Sequence, residues 1–309
     1  MRLEERLSGG LIGLLVGDAL GVPFEFHPPD ALPPAEWIEY QPPIDFPRAH
    51  MGTPPGTWSD DGAQALCLLA LLLDRGQLDP EDLGRRLLAW YDKGYLAVDG
   101  CVFDVGIQTG LALPALRRGT PALLAGSTEE RALGNGSLMR VLPMALWHRG
   151  TDAELVADAQ AQSCLTHGHP RAQVCCALYC LWARRTMEGE RDPWQAATHT
   201  LRALYPEGRV ERAELEWAIR PDDPPTGRGG GYVVDSLRSA RWAVEQGSYE
   251  AVVRAAIGLG DDTDTTAALT GGIAGIRDGV EAGPRRWRDG LRGQELVAPL
   301  LEQLLASRE

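Results

Sequence analysis

The stretch Gly258–Gly272, GLGDDTDTTAALTGG, constrains this chain more than any other. Asp261, Asp262 and Asp264 stand among the hydroxyls of Thr263, Thr265 and Thr266, and the small apolar, helix-compatible run AALTGGIAGI follows at once. Carboxylates packed this densely repel one another, so ionising them together is costly unless cations sit between them. Oxygen-only donor sets suit hard ions such as Mg²⁺, Mn²⁺ or Ca²⁺. The competing reading is a helix N-cap, because Asp and Thr satisfy the free N–H groups and suit the positive end of a helix. One Asp is enough for a cap, and three stand here, which favours a metal.

A second cluster has the same style. In Thr57–Gly62, TWSDDG, the pair Asp60 and Asp61 sits beside Ser59 and Thr57 and opens the apolar run AQALCLLALLL, a buried helix by composition. A cap explains either cluster alone, but two of them are harder to dismiss. Facing each other, they would supply oxygens for two octahedral ions. Metals paired about 3.5–4 Å apart hold a bridging water or orient substrate hydroxyls. Glu25, just behind the first helix, is a further candidate, either a ligand or a base aimed at the water. Asn135 in GNGSLMR lies in a glycine-flanked turn of the kind that brings backbone N–H groups to a ligand, or else is an ordinary N-cap. His167 in LTHGHP is a candidate acid or ligand contact, or a loop histidine with neither role, whereas His169 before Pro170 reads as a helix start. After GRGGG, Tyr232 suits a lid over a base or sugar, with core packing as the competing account.

The remaining pattern is helical. Apolar periodicity and caps predict helices over 2–20, from Asp60 through the apolar run, 79–93, 107–117, 138–147, 152–163, 170–187, 193–204, 233–246, 249–259, 265–278 and 294–305, with a further segment at ERAELEWAI. No alternating strand, nucleotide-binding G-x-G-x-x-G or P-loop interrupts them. The expectation is therefore all-α, a single domain over residues 1–309 with a dinuclear metal cleft where the two acidic clusters meet. Residues 27–56, rich in proline, read as a flap or rim. A net charge of −13 argues against a non-specific grip on nucleic acid or an anionic membrane. Six cysteines without C-x-x-C spacing read as free thiols in a reducing compartment. Asp18 interrupts LIGLLVGDALGV, which otherwise resembles a signal-peptide core, so a cytoplasmic protein is expected.

Taken together, the motifs GDALGVPFE, TWSDDGA, FDVG, GNGSLMRVLPMA, LTHGHP, GYVVDSL and LGDDTDTTAALTGGIAG resemble, in order and over nearly the whole chain, the ADP-ribosylglycohydrolase family, which includes the dinitrogenase reductase-activating glycohydrolases. The resemblance implies an all-α fold with two divalent cations, Mg²⁺ or Mn²⁺, at the base of a cleft. By motif it implies Ser59, Asp60 and Asp61 as ligands from one cluster and Asp262, Asp264 and Thr265 from the other. Glu25 and Asp104 fall at catalytic positions, and Asn135, Gly136, Ser137, His167, Gly168 and Tyr232 where such enzymes line the ADP-ribose cleft. The implied activity is metal-dependent hydrolysis of the ribosyl linkage in an ADP-ribosylated protein side chain, a polymer or a small conjugate. A two-metal phosphoester hydrolase and a non-catalytic ADP-ribose-binding module are the alternatives. Three positions depart from the family pattern: Gly62 where SDDT is common, Ile107 where DIGN is frequent, and Asp261 in place of a glycine.

Overall fold

Glycines at every fourth position of the first helix decide where the centre of the molecule lies. In the computed structural model, which describes residues 1–308, that helix, α1 (Leu3–Gly21), crosses a late helix, Thr263–Asp278, backbone against backbone. A Cβ on Gly9 would stand 2.1 Å from the Gly275 carbonyl oxygen, one on Gly13 2.2 Å from that of Gly271, and one on Gly17 2.1 Å from that of Ala267. The reversed order of these partners makes the pair antiparallel. By length and composition Leu3–Phe24 would be apolar enough to cross a membrane, but here 89% of its most apolar window is buried inside the protein. It is the core helix.

Fourteen α-helices are present among the described residues. After α1 come α2 (Asp60–Arg75), α3 (Pro80–Lys93), α4 (Ile107–Arg117), α5 (Leu142–Trp147), α6 (Asp152–Cys164), α7 (Pro170–Glu188), α8 (Pro193–Leu204) and the short α9 (Val210–Ala213). Then follow α10 (Val233–Val244), α11 (Tyr249–Ile257), α12 (Thr263–Asp278), α13 (Arg285–Gly290) and α14 (Gln294–Ala306). Around the α1–α12 pair, α2, α5, α7, α10 and α11 form the surrounding layer. Local signals set many of the ends. Asp79 and Asp192 accept N–H groups ahead of Pro80 and Pro193, Thr151 and Glu154 form a capping box, and Gly76, Gly94 and Gly189 close helices with left-handed backbone. The all-α expectation holds: β-structure among the described residues amounts to the isolated bridges Ser127–His167 and Gly134–Tyr232.

Two segments differ from the helical reading. The helix expected from Leu138 begins only at Leu142, because Leu138 and Met139 both donate their N–H to Asn135 in a chain of turns and Pro143 then starts α5. The segment Arg285–Gly290 is helical without apolar periodicity, and Trp287 anchors it by donating its indole N–H to Glu39 at 2.6 Å. That contact, with Tyr40 donating to the Trp287 carbonyl at 2.8 Å, also ties the middle of the proline-rich 27–56 segment to the body.

Candidate active site

Both acidic clusters open helices, and α1 brings those openings together. At its C-terminal end Gly21 lies against Asp264, with 2.4 Å left between a Cβ on Gly21 and the Asp264 Cα, and Thr263 Oγ1 donates to the Gly21 carbonyl at 2.8 Å. One turn earlier, the fully buried Asp18 reaches across to α2. Its carboxylate accepts the N–H of Ser59 at 2.9 Å and of Gly62 at 2.7 Å, so a side chain of one helix satisfies the free donors of another. Gly62 leaves no room for a larger residue, since a Cβ there would lie 2.7 Å from Leu15 and 2.8 Å from Trp58. From the sequence Asp18 reads only as the residue that interrupts LIGLLVGDALGV, and a lone carboxylate in that apolar run is the signal of a capping role.

With Asp18 and Ser59 serving as caps, the neighbouring acids are freed. Ser59 Oγ accepts the Asp61 N–H at 3.2 Å and donates to Asp61 Oδ2 at 3.3 Å, and Gln64 donates to Asp60 Oδ2 at 3.3 Å. Asp262, at the N-cap of α12, makes no side-chain cap bond; its Oδ2 accepts instead from Asn135 Nδ2 at 2.7 Å. Asp61 Oδ1 is buried with no hydrogen-bond partner. Burial and then mutual repulsion raise the carboxyls of Asp60, Asp61 and Asp264 well above the usual range, and burial does the same, less strongly, to Asp262. Glu25 is pushed up to about 7 by burial, partly offset by a hydrogen bond with His50. The largest charges acting on Asp60, Asp61 and Asp264 are carboxylates. Oxygens of Glu25, Asp262 and Asp264 lie within 4.8 Å of one another. Converging acids, an orphaned buried oxygen and an oxygen-rich donor set fit a hard divalent cation.

Above this floor opens a cleft of about 570 Å³. Glu25, Asp60, Asp61, Asp104, Asn135, Gly136, His167, Asp262, Asp264 and Thr265 of the predicted set line it, joined by Arg131, the one arginine or lysine among its described lining residues. The rest of the predicted set lies elsewhere. Ser59 sits behind Asp61 as a cap, and Ser137 is fully buried, accepting from Ser163 Oγ at 2.8 Å. Gly168 is also buried, donating its N–H to Ser127 at 2.9 Å. Tyr232 is 41% exposed, lines a neighbouring cavity and accepts from Arg171 at 3.1 Å. Asp261 adopts φ 54°, a left-handed geometry that glycine takes freely and that Asp tolerates.

His167 belongs to a buried chain. The guanidinium of Arg140, wholly enclosed, donates to Gln64, Gln162 and Thr166 Oγ1, each at 2.9–3.0 Å, and Thr166 Oγ1 lies 2.8 Å from His167 Nδ1. With Nδ1 engaged by that hydroxyl, Nε2 is the free edge of the ring, beside Gly136. A Cβ on Gly136 would come 2.8 Å from that ring. Burial, reinforced by Arg140, lowers His167 to about 3, so the ring is neutral rather than an acid.

The chain matches known proteins over nearly its whole length. The profile of the ADP-ribosylglycohydrolase family covers residues 1–309. The chain belongs to the ADP-ribosylglycohydrolase family. As a member it is a hydrolase of ADP-ribosylated substrates. Among similar proteins, the ADP-ribosylarginine hydrolase Tri1 of Serratia proteamaculans (strain 568) is 31% identical over 97% of this chain and 79% of its own. The ADP-ribosyl-[dinitrogen reductase] glycohydrolase of Rhodospirillum rubrum is 26% identical over 92% and 90%. A solved structure titled ADP-ribosylglycohydrolase-related protein complex superposes with a TM-score of 0.78 at 31% identity, over 99% of both chains. Within this family fold the acidic floor and the glycine-lined wall of the cleft occupy one continuous site.

Proposed function

We propose that this glycohydrolase binds two divalent cations, Mg²⁺ or Mn²⁺, and releases ADP-ribose from modified protein side chains, with arginine-linked ADP-ribose the first substrate to test. The observation that carries the metal reading is the convergence of Asp60, Asp61, Asp262 and Asp264 from two helix starts, with Asp61 Oδ1 left unpartnered. Those carboxylates, with Thr265, would hold the ions. When bound, the ions supply orientation of the ribose hydroxyls and Lewis-acid stabilisation of developing charge. Support for an arginine linkage comes from the Tri1 likeness and from an acidic leaving-group side, Glu25, Asp104 and Asp261, that suits a guanidinium.

The chain's own residues then divide the work. Cleavage at the anomeric carbon develops oxocarbenium-like charge, which nearby carboxylates stabilise. Glu25, titrating near neutrality, takes the proton of the attacking water as the bond to the acceptor breaks, and returns it to the departing group. Backbone N–H groups around Gly134–Gly136 and Arg131 are the donors available to a diphosphate, beside the Nε2 edge of His167. A cytoplasmic setting belongs to the same reading and is supported by six free thiols, four of them buried. The test is release of free ADP-ribose from arginine-, serine- and polymer-linked substrates with Mg²⁺, with Mn²⁺ and with chelator, beside Asp60→Ala/Asp262→Ala. Metal-dependent release that disappears in the double variant is the expected result. Tight binding of ADP-ribose without release would instead mark a binding module, and release untouched by chelator would defeat the metal reading.

A further inference from the structure

Next to the cleft lies a second cavity of about 300 Å³, with the Glu25–His50 pair and the Phe103–Asp104 step between the two. Consecutive residues face opposite ways: Phe103 lines the second cavity and Asp104 the cleft. Likewise Glu25 lines the cleft, while His50, whose Nε2 meets Glu25 Oε2 at 2.5 Å, lines the cavity. A ring nitrogen of His50 and oxygens of Glu25 and Asp104 fall within 4.8 Å of one another. Phe103 stands edge-on to the His50 ring at 5.0 Å, and Phe26 packs on it at 5.6 Å. His50 (φ 48°) and Phe26 (φ 64°) both hold left-handed backbone, a strained conformation that persists only where the surroundings enforce it.

The lining says what the cavity takes. Met51, Pro54, Val98 and Phe103 are apolar, and Thr53 and Thr57 add hydroxyls. Its one guanidinium, Arg292, is already engaged by Asp99 at 2.8 Å and Thr57 at 3.2 Å. Without a free cation it is not built for phosphate. Mixed apolar and hydroxyl walls fit a short polypeptide segment. Of the residues lining the cleft, Glu25 and Asp104 border the His50 cavity, through the Glu25–His50 contact and the Phe103–Asp104 step, while His167 and Gly136 line the cleft without lining that cavity. An ADP-ribose whose diphosphate meets Gly136 and His167 would therefore carry its acceptor on the His50 side.

We infer that the cavity beyond His50 is the subsite for the polypeptide acceptor, and that His50 is the positioning residue that sets Glu25 at the partition between acceptor and ADP-ribose. The inference rests on the glycohydrolase reading of the cleft. Its test compares arginine-ADP-ribosylated protein with free ADP-ribosylarginine, and measures the Kd of free ADP-ribose by calorimetry. His50→Ala lowers kcat on both substrates by about 100-fold, the cost of misplacing a reacting group, with the Kd unchanged. His50→Gln, which keeps an N–H donor within reach of Glu25, recovers most of that loss. The second arm needs no refolded variant: Cys101 is exposed and lines the cavity. Alkylating it with N-ethylmaleimide raises KM several-fold for the modified protein but not for ADP-ribosylarginine, and Cys101→Ser protein treated alike shows no such rise. An unchanged kcat in His50→Ala, a Kd that weakens along with it, or an unaltered protein KM after alkylation overturns the inference. Failure of the cleft reading is separate and shows earlier, as wild-type protein that releases ADP-ribose from neither substrate.

Discussion

Asp18 and His167 are two polar side chains whose surroundings assign their work. Asp18 accepts two backbone N–H groups at a buried helix start, and burial pushes it up to about 7. Asp18→Ala strands both donors, each worth about 1–3 kcal/mol when buried and unpaired, so chemical denaturation should show a loss of several kcal/mol. Asp18→Asn keeps one acceptor oxygen and should lose less. His167, lowered to about 3 against an ordinary value of 6.5, binds its proton in the unfolded chain well before it does in the folded one. Its contribution to stability is therefore complete above pH 6.5 and is lost as pH falls from there toward 3. Stability measured by urea denaturation at pH 7 and pH 5 should fall more in wild type than in His167→Gln. Equal slopes for the two proteins would show that burial does not suppress its protonation.

At the scale of elements, the α1–α12 crossing sets the site. Its glycines let two backbones touch, and that contact puts the end of α1 beside the start of α12. A methyl at Gly17 would lie 2.1 Å from the Ala267 carbonyl oxygen, and a backbone oxygen cannot rotate aside as a side chain can. Gly17→Ala should destabilise by about 1–3 kcal/mol in urea melts, as overpacking of tight interiors does. It should also weaken metal binding in calorimetry, because the α12 cluster moves away from Asp60 and Asp61. A Gly84→Ala control meets only the flexible end of Leu116 at 3.3 Å and should be far milder on both readouts. The glycine spacing in GGLIGLLVG is visible in the sequence, and capping residues read in order place most helix boundaries. Only the partner of those glycines was missing, because helix pairing depends on contacts 250 residues apart in the chain, of which local periodicity carries no trace.

For the whole molecule the consequence is a strong linkage among folding, cations and pH. Asp60, Asp61, Asp264 and Glu25 are held above their ordinary pKa values, so without cations the folded protein retains protons that the unfolded chain gives up. Each such group contributes stability that is present below its unfolded value and lost as pH rises through its folded one. Cations must displace those protons, so they bind better as pH rises. Adding Mg²⁺ or Mn²⁺ should raise Tm, by more at pH 8 than at pH 6, in a thermal shift series against Ca²⁺ and chelator. A Tm indifferent to divalent cations at both pH values would remove the dinuclear reading. By itself, the chain's order of residues determined that it is helical, that two oxygen-rich clusters open apolar helices, and which known family it resembles, because capping chemistry and periodicity are local. Tertiary structure alone decided which acids face the cleft and which merely cap. It enlisted Asp18 and buried Ser137 and Gly168 behind the wall. It also brought His50, from a segment with no readable pattern, against Glu25. Those outcomes depend on burial and on distances across the fold, which no run of neighbouring residues encodes.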